Sequence, residues 1–271
     1  MARALIQALT GNVEFGESLS AKERLLLNSF PPQKLEFEKN TVVFREGEPA
    51  NQFLLVEKGV CFTHRHLEDG SRQIIEFYFP REVVALGELS KAHHSAGLMT
   101  LSDTVLAVYD KDEITQGFSE SPELSRLFIR MISKQQANLT ERLVGLTRYS
   151  ARQRMAHFLL EVDFRLKRSE MLDFQELSGK CSQTVMPEET TPNRSLVKIP
   201  QVLIADSLGL SIVHVNRILR QLREQGCIAT RGYGIELSDI KALKGIAGWA
   251  AENPTAPKDA VTPAIPSISV E

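Results

Sequence analysis

The sequence predicts an α+β chain: an amino-terminal jelly-roll-like β-barrel, a long dimerisation helix and a carboxyl-terminal winged helix-turn-helix. Three observations predict it. Eight short apolar runs separated by turn residues fill residues 34–109, the stretch from Ser121 onward repeats its apolar residues at three and four, and Pro200 to Gly226 reads as two short helices around a corner.

The last of these is the most constrained. Pro200 can open a helix because its missing N–H costs nothing at a first helical position. Ala205 supplies the small residue that two touching helices need, and Gly209, four residues on, supplies the permissive backbone of a tight turn. Ser211 can cap the next helix. Ile204, Leu208, Leu210, Val215 and Ile218 supply the packing between the two. Cys227 to Leu237 follows as two short runs around Gly232-Tyr233-Gly234, a β-hairpin and hence a wing. In such a motif the second helix enters the major groove and the wing lies near the phosphates.

From the amino terminus, residues 1–18 show weak pattern and read as a flexible arm. Ser20 and Glu23 fit a capping box that opens a helix through Leu25–Leu27. The runs LEFE, TVVF, FLLVE, VCFTHRHL, QIIEFYF, VVAL, GLMTL and TVLAVY then alternate with turns at Glu46–Pro49, Lys58-Gly59 and Glu68–Gly70. The barrel is placed at 19–118. Asp69-Gly70 between two alternating runs is a hairpin signal.

Ser121-Pro122 starts the long helix, placed at 119–147. Leu124, Leu127, Phe128, Met131 and Leu139 form its apolar stripe, and Gln135 and Asn138 are the kind of polar residue that sets register in a two-stranded coil. A homodimer is expected; the alternative is one helix lying on its own barrel. Residues 148–250 form the winged domain, with a polar loop insertion at about 170–197. The Pro-, Ala- and Ser-rich tail 251–271 has the composition of a disordered segment.

Charge is divided unevenly. Residues 1–120 hold 12 Lys and Arg against 18 Asp and Glu, whereas residues 198–250 hold 7 against 4. Only the carboxyl-terminal part is therefore suited to a polyanion such as double-stranded DNA. No apolar run approaches a membrane span and no amino-terminal signal pattern is present, so a cytoplasmic chain without membrane contact is expected. Cys61, Cys181 and Cys227 have no metal-ligand spacing and leave an odd thiol. Cys181, in the polar loop, is the candidate redox thiol. His64 and His66 alternate onto one strand face, where they could chelate a metal, but solvent-facing polar positions are the preferred reading, and no metal or cofactor is expected. No nucleophile–base set or phosphate loop is present, so no enzymatic activity is expected.

The order barrel, long helix, winged helix-turn-helix resembles the Crp/Fnr superfamily of bacterial transcription regulators over about residues 19–247, the loop near 170–197 excepted. Gly47, Gly59 and Gly70 fall at the family's barrel turns, Gly87-Glu88-Leu89 looks like the start of its cyclic-nucleotide phosphate cassette, and LGLSIVHVNRILRQLREQGCI looks like its recognition helix and first wing strand. The resemblance implies a homodimeric, sequence-specific regulator of transcription with RNA polymerase as partner. It also carries departures. His94-Ser95 stands where nucleotide-binding members place Arg-Ser, and histidine cannot make the guanidinium's fork on a phosphate. The effector pocket of Gly87, Glu88, Leu89, His94 and Ser95 is therefore expected to take no cyclic nucleotide, an unknown small-molecule effector remaining open. The arm has no cysteine for an iron–sulfur cluster.

At the recognition helix, Ile212 and Val213 replace the family's Arg-Glu pair while Arg217 retains its Arg. Arg217 is the candidate for guanine O6/N7, and Ile212 or Val213 for a thymine methyl. Ser211 faces the DNA or the phosphate side, and His214 and Asn216 are base readers or phosphate contacts. Arg220, Arg223 and Arg231 are assigned to phosphates. The rival reading is a small-molecule-binding module that acts on a protein partner and carries a degenerate helix-turn-helix.

Overall fold

The computed structural model describes residues 19–178 and 196–249, with Leu5, Ile6 and Ala8. Ser20 caps α1 (Ala21–Asn28) by the predicted box: its N–H reaches Glu23 Oε2 at 2.7 Å while its Oγ accepts from the Glu23 N–H at 3.3 Å. All eight apolar runs are strands: β1 (Gln33–Phe37), β2 (Val42–Phe44), β3 (Gln52–Lys58), β4 (Cys61–His66), β5 (Arg72–Tyr78), β6 (Val83–Val84), β7 (Gly97–Thr100) and β8 (Thr104–Asp110).

They form two antiparallel four-stranded sheets, β1-β8-β3-β6 and β2-β7-β4-β5, the crossed order of a jelly roll. Phe44, Leu54, Val56, Leu98 and Leu106 fill the space between them. Gly59 sits at φ +85°, and a Cβ there would meet the Asp103 carbonyl oxygen and lie 2.8 Å from Thr104 Cα, so this turn admits glycine alone.

Asp110 caps α2 (Lys111–Glu120), a helix the sequence pattern did not single out, and Ser121 with Pro122 starts α3 (Pro122–Arg148) as predicted. The first half of α3 packs on its own barrel: Leu124, Leu127 and Met131 are buried with Phe53, Leu55, Ile114 and Phe118. Its second half touches the barrel through Arg142, whose Nη1 donates to the Ile75 carbonyl at 2.7 Å.

The next helix, α4 (Ala151–Ser178), runs on past residue 170, where a loop was expected. Ser169 to Ser178 contains no Gly or Pro, so nothing stops the helix before Gly179. Then come β9 (Leu196–Val197), α5 (Gln201–Leu208), α6 (Ile212–Glu224), β10 (Ile228–Arg231), β11 (Gly234–Leu237) and α7 (Ile240–Ala247). β9 adds a third strand to the wing sheet, order β10-β11-β9.

The barrel and the carboxyl-terminal helices share one core. Phe62, Ile74, Phe77 and Phe79 from the barrel are continuous with Met155, Phe158, Leu159, Leu203 and Ile218, and the Phe77 and Phe158 ring centroids lie 5.9 Å apart. No single helix among the described residues is long and apolar enough to cross a membrane.

Candidate nucleic-acid interface

The two helices α5 and α6 meet at 106°. Gly209 takes the left-handed conformation, φ +61°, and ends α5, and the Leu210 N–H closes the corner on the Ala205 carbonyl at 3.1 Å. Ser211 then caps α6, its Oγ accepting from the His214 N–H at 3.2 Å. Val215, Ile218, Leu219 and Leu222 are buried against Leu203, Ile204, Ala205 and Leu208, as the spacing predicts.

That burial fixes what α6 presents outward. Val213, Arg217, Arg220 and Glu224 succeed one another at four, three and four residues, directly opposite the buried stripe, with Asn216 beside them. Val213 is 74% exposed. Ile212 and His214 lie on the two flanks, Ile212 partly exposed and His214 half-buried. Ser211 is exposed, but its hydroxyl is committed to the cap.

The arginines divide by partner. Arg217 is exposed on this outward stripe, whereas Arg220 Nε donates to Glu224 at 2.8 Å. Arg223 braces the helix to the wing, its Nε on the Leu219 carbonyl and its Nη1 on Thr230 Oγ1 at 3.1 Å. Arg231 is paired with the buried carboxylate of Glu236 across the β10–β11 hairpin. At the hairpin tip Tyr233 is fully exposed. Sequence reasoning left Tyr233 aside, although a tyrosine between two turn glycines has nowhere to bury its ring.

The barrel pocket is closed by its own side chains. Gly87 and Glu88 form a short 3₁₀ turn, Leu86–Glu88, followed by Leu89. Glu88 Oε2 lies 2.8 Å from His94 Nδ1, and Glu88 Oε1 accepts from the Ser95 N–H at 2.8 Å and from the Ser95 hydroxyl. The His94 ring stacks on Phe44, centroids 3.6 Å apart and planes within 8°. What remains beside Phe44, Leu54, Glu88, Leu89 and Lys111 is a cavity of about 10 Å³, the volume of one water site. Burial pushes the Glu88 carboxyl up, but the bonds from Ser95 and His94 outweigh it and hold the group below the usual range.

The remaining candidates are scattered. His64 is buried rather than solvent-facing, because Gly97 opposite it leaves room for the ring; His66 is exposed, and the two rings are 5.1 Å apart. No group of three or more His, Cys, Asp or Glu that could hold a metal occurs among the described residues. Cys61 and Cys227 are buried thiols, and Cys181 lies outside the described residues.

On α3 the expected dimer residues separate. Leu124, Leu127 and Met131 are taken up by the barrel, Phe128 stacks on Phe118 at 4.4 Å, and Gln135 and Asn138 line a cleft against α4; Leu139 alone of the seven is exposed. A second stripe, Ile129, Ile132, Gln136, Leu139, Leu143 and Leu146, alternates three and four; Ile132 packs at its edge against the barrel core, while Ile129 and Leu143 are more than 60% exposed.

At the junction of barrel, α3 and α4 lies a buried ion network that no motif announced. Arg142 Nη1 donates to Glu76 Oε2 at 3.0 Å and Arg165 Nη1 to Glu76 Oε1 at 2.7 Å. Arg165 also meets Glu82 and Glu161 and lies over the Phe79 ring.

Residues 34–121 match the cyclic nucleotide-binding domain family, and residues 153–246 match the Crp-like helix-turn-helix domain family. The chain is similar to the nitrogen fixation regulation protein FixK of Bradyrhizobium diazoefficiens, 26% identical over 79% of this chain and 82% of that protein. It is also similar to the anaerobic regulatory protein of Pasteurella multocida, 22% identical over 87% and 80%. Among solved structures, FixK2 of Bradyrhizobium japonicum superimposes with a TM-score of 0.67 at 24% identity, over 81% of this chain and 99% of that one.

Proposed function

This chain belongs to the Crp/Fnr superfamily and is a DNA-binding transcription regulator, and from that premise we propose that it reads a two-fold symmetric promoter site as a homodimer without a cyclic nucleotide. The observation that carries the reading is the outward stripe of α6. An intact hydrophobic lock aims Val213, Asn216, Arg217 and Arg220 away from the protein, where base edges and phosphates would lie. Arg217 reads guanine; Arg220, Arg223 and Arg231 hold phosphates.

The heptad-like stripe Ile129, Ile132, Gln136, Leu139, Leu143 and Leu146 supports pairing of two α3 helices, with Gln136 as the single polar residue that sets register. Half-sites then fall about one helical turn apart. The filled pocket supports independence from cyclic nucleotides: Glu88 and Ser95 already satisfy each other, and none of the described residues that line it is an arginine able to clamp a cyclic phosphate. RNA polymerase is the partner when the site lies upstream of a promoter. A catalytic role has no support. The rival reading, a module with a degenerate helix-turn-helix, is opposed by the intact packing of α5 on α6.

The test is selection of duplexes from a random pool by the purified protein at fixed salt, with no additive, with cyclic AMP and after mild oxidation. One palindrome enriched equally in the first two arms is expected. Enrichment only with cyclic AMP would refute nucleotide independence, and no enriched sequence would refute specific DNA reading.

A further inference from the structure

Resting on that DNA-reading function, we propose that Val213 is a specificity-determining residue whose methyl groups read the C5-methyl of thymine, fixing an A·T pair in each half-site. The position is set by α6 itself. Val213 lies in the first turn, the part of a recognition helix that meets base edges, and heads the outward stripe that continues through Arg217. It stands opposite Val215, Ile218, Leu219 and Leu222, so it takes no part in the core, and at 74% exposure nothing among the described residues covers it.

A lone exposed aliphatic side chain needs no explanation in general. Here its chemistry and place restrict what it can do. Valine offers no donor or acceptor, and the thymine methyl is the one apolar feature that the base pairs display in the major groove. Against cytosine the same side chain would cover the N4 amino group and leave that donor without a partner, which costs more than the contact returns. Branching at Cβ holds χ1 to one rotamer in a helix, so the two methyls are presented at a fixed place. Ile212, on the flank and less exposed, points beside this stripe.

The experiment uses the full-length protein and the duplex recovered by selection. Each thymine is replaced in turn by deoxyuridine, which removes only the methyl group. At one position per half-site the wild-type protein is expected to lose about fourfold in affinity, the value of one methyl kept out of water. Val213→Ala, an exposed helix position where alanine keeps the fold, should bind thymine and uracil duplexes alike. 5-Methylcytosine at that position, which restores the methyl but keeps the N4 amino group, should bind the wild type more tightly than cytosine and less tightly than thymine, and should not differ from cytosine for V213A. No uracil-sensitive position, or the same uracil penalty in V213A, would overturn the inference while leaving specific DNA reading intact. Failure to recover any duplex would instead overturn the function on which it rests.

Discussion

The Arg72 guanidinium on the barrel hairpin meets Asp206 of the helix-turn-helix through both Nε and Nη2, at 2.8 and 2.7 Å from Oδ2. Beside it Gln73 Nε2 donates to the Ser207 carbonyl at 3.4 Å. Both partners are about three-quarters buried, so the pair escapes most of the screening that weakens surface pairs. A double-mutant cycle of Arg72→Ala and Asp206→Ala, read by urea unfolding, should give a coupling of about 1–2 kcal/mol. Additive effects would mean that the contact contributes nothing.

Glu76 holds two guanidinium groups, those of Arg142 and Arg165, at a site where its own side chain is nearly all buried. Glu76→Ala removes the carboxylate that both cations share, Arg165 keeping Glu82 and Glu161, and should cost about 1–3 kcal/mol. The unfolding midpoint measures it. A loss below about 1 kcal/mol would show that water or Glu161 replaces the carboxylate.

Stability should fall with acid near pH 6. Burial, ahead of the charges of His66 and Arg72, holds His64 below the ordinary imidazole range, and burial likewise lowers His157 against the pull of Glu161 and Glu141. A histidine that is neutral in the fold and protonated in the unfolded chain contributes stability above its unfolded pKa, about 6.5, and that contribution is lost as pH falls through this value toward the folded pKa. Tm should therefore drop between pH 7 and 5, and His157→Gln should flatten the drop. An unchanged slope in that variant would remove His157 from the account.

Two leucines of α3 should behave differently. Leu143→Arg, on the outer stripe, should yield monomers in sedimentation and weaken DNA binding by removing the second reading helix. Leu127→Ala, under the barrel, should instead cost about 2–5 kcal/mol of stability and leave the association state alone. A dimeric L143R protein would place the interface elsewhere.

Arg217→Ala should relax selection at one base position, while Arg231→Ala should weaken all duplexes alike and lower the salt slope by about one. Because Arg231 also partners the buried Glu236, its loss should lower Tm as well. Equal and uniform losses for both variants would contradict the division between base and phosphate.

The helix-turn-helix was legible because its constraints are local: Ala205, Gly209 and Ser211 sit within seven residues and each admits few residue types. The eight barrel strands were legible from turn glycines and alternation. α2 was not, since Thr115, Gly117 and Ser119 are poor helix formers; tertiary packing decides it, with Phe30 passing so close to Gly117 that a Cβ would lie 2.6 Å from Cε2. That the barrel covers Leu124, Leu127 and Met131 was not legible, because α3 carries two apolar stripes and periodicity alone cannot say which one the barrel takes. The Glu76 network joins residues 66 to 89 positions apart, beyond the reach of any pattern in the sequence.

The core shared by Phe77 and Phe158 bears on how such a protein could be cut or recombined. A regulator whose reading head hangs on a hinge can exchange that head for another, and each half survives proteolysis as a soluble fragment. Here severing the chain after α3 would strip the cover from Phe62, Ile74, Phe77 and Phe79 on one piece and from Met155, Phe158 and Leu203 on the other. Both pieces would carry exposed apolar faces, so neither half is expected to stay soluble without the other.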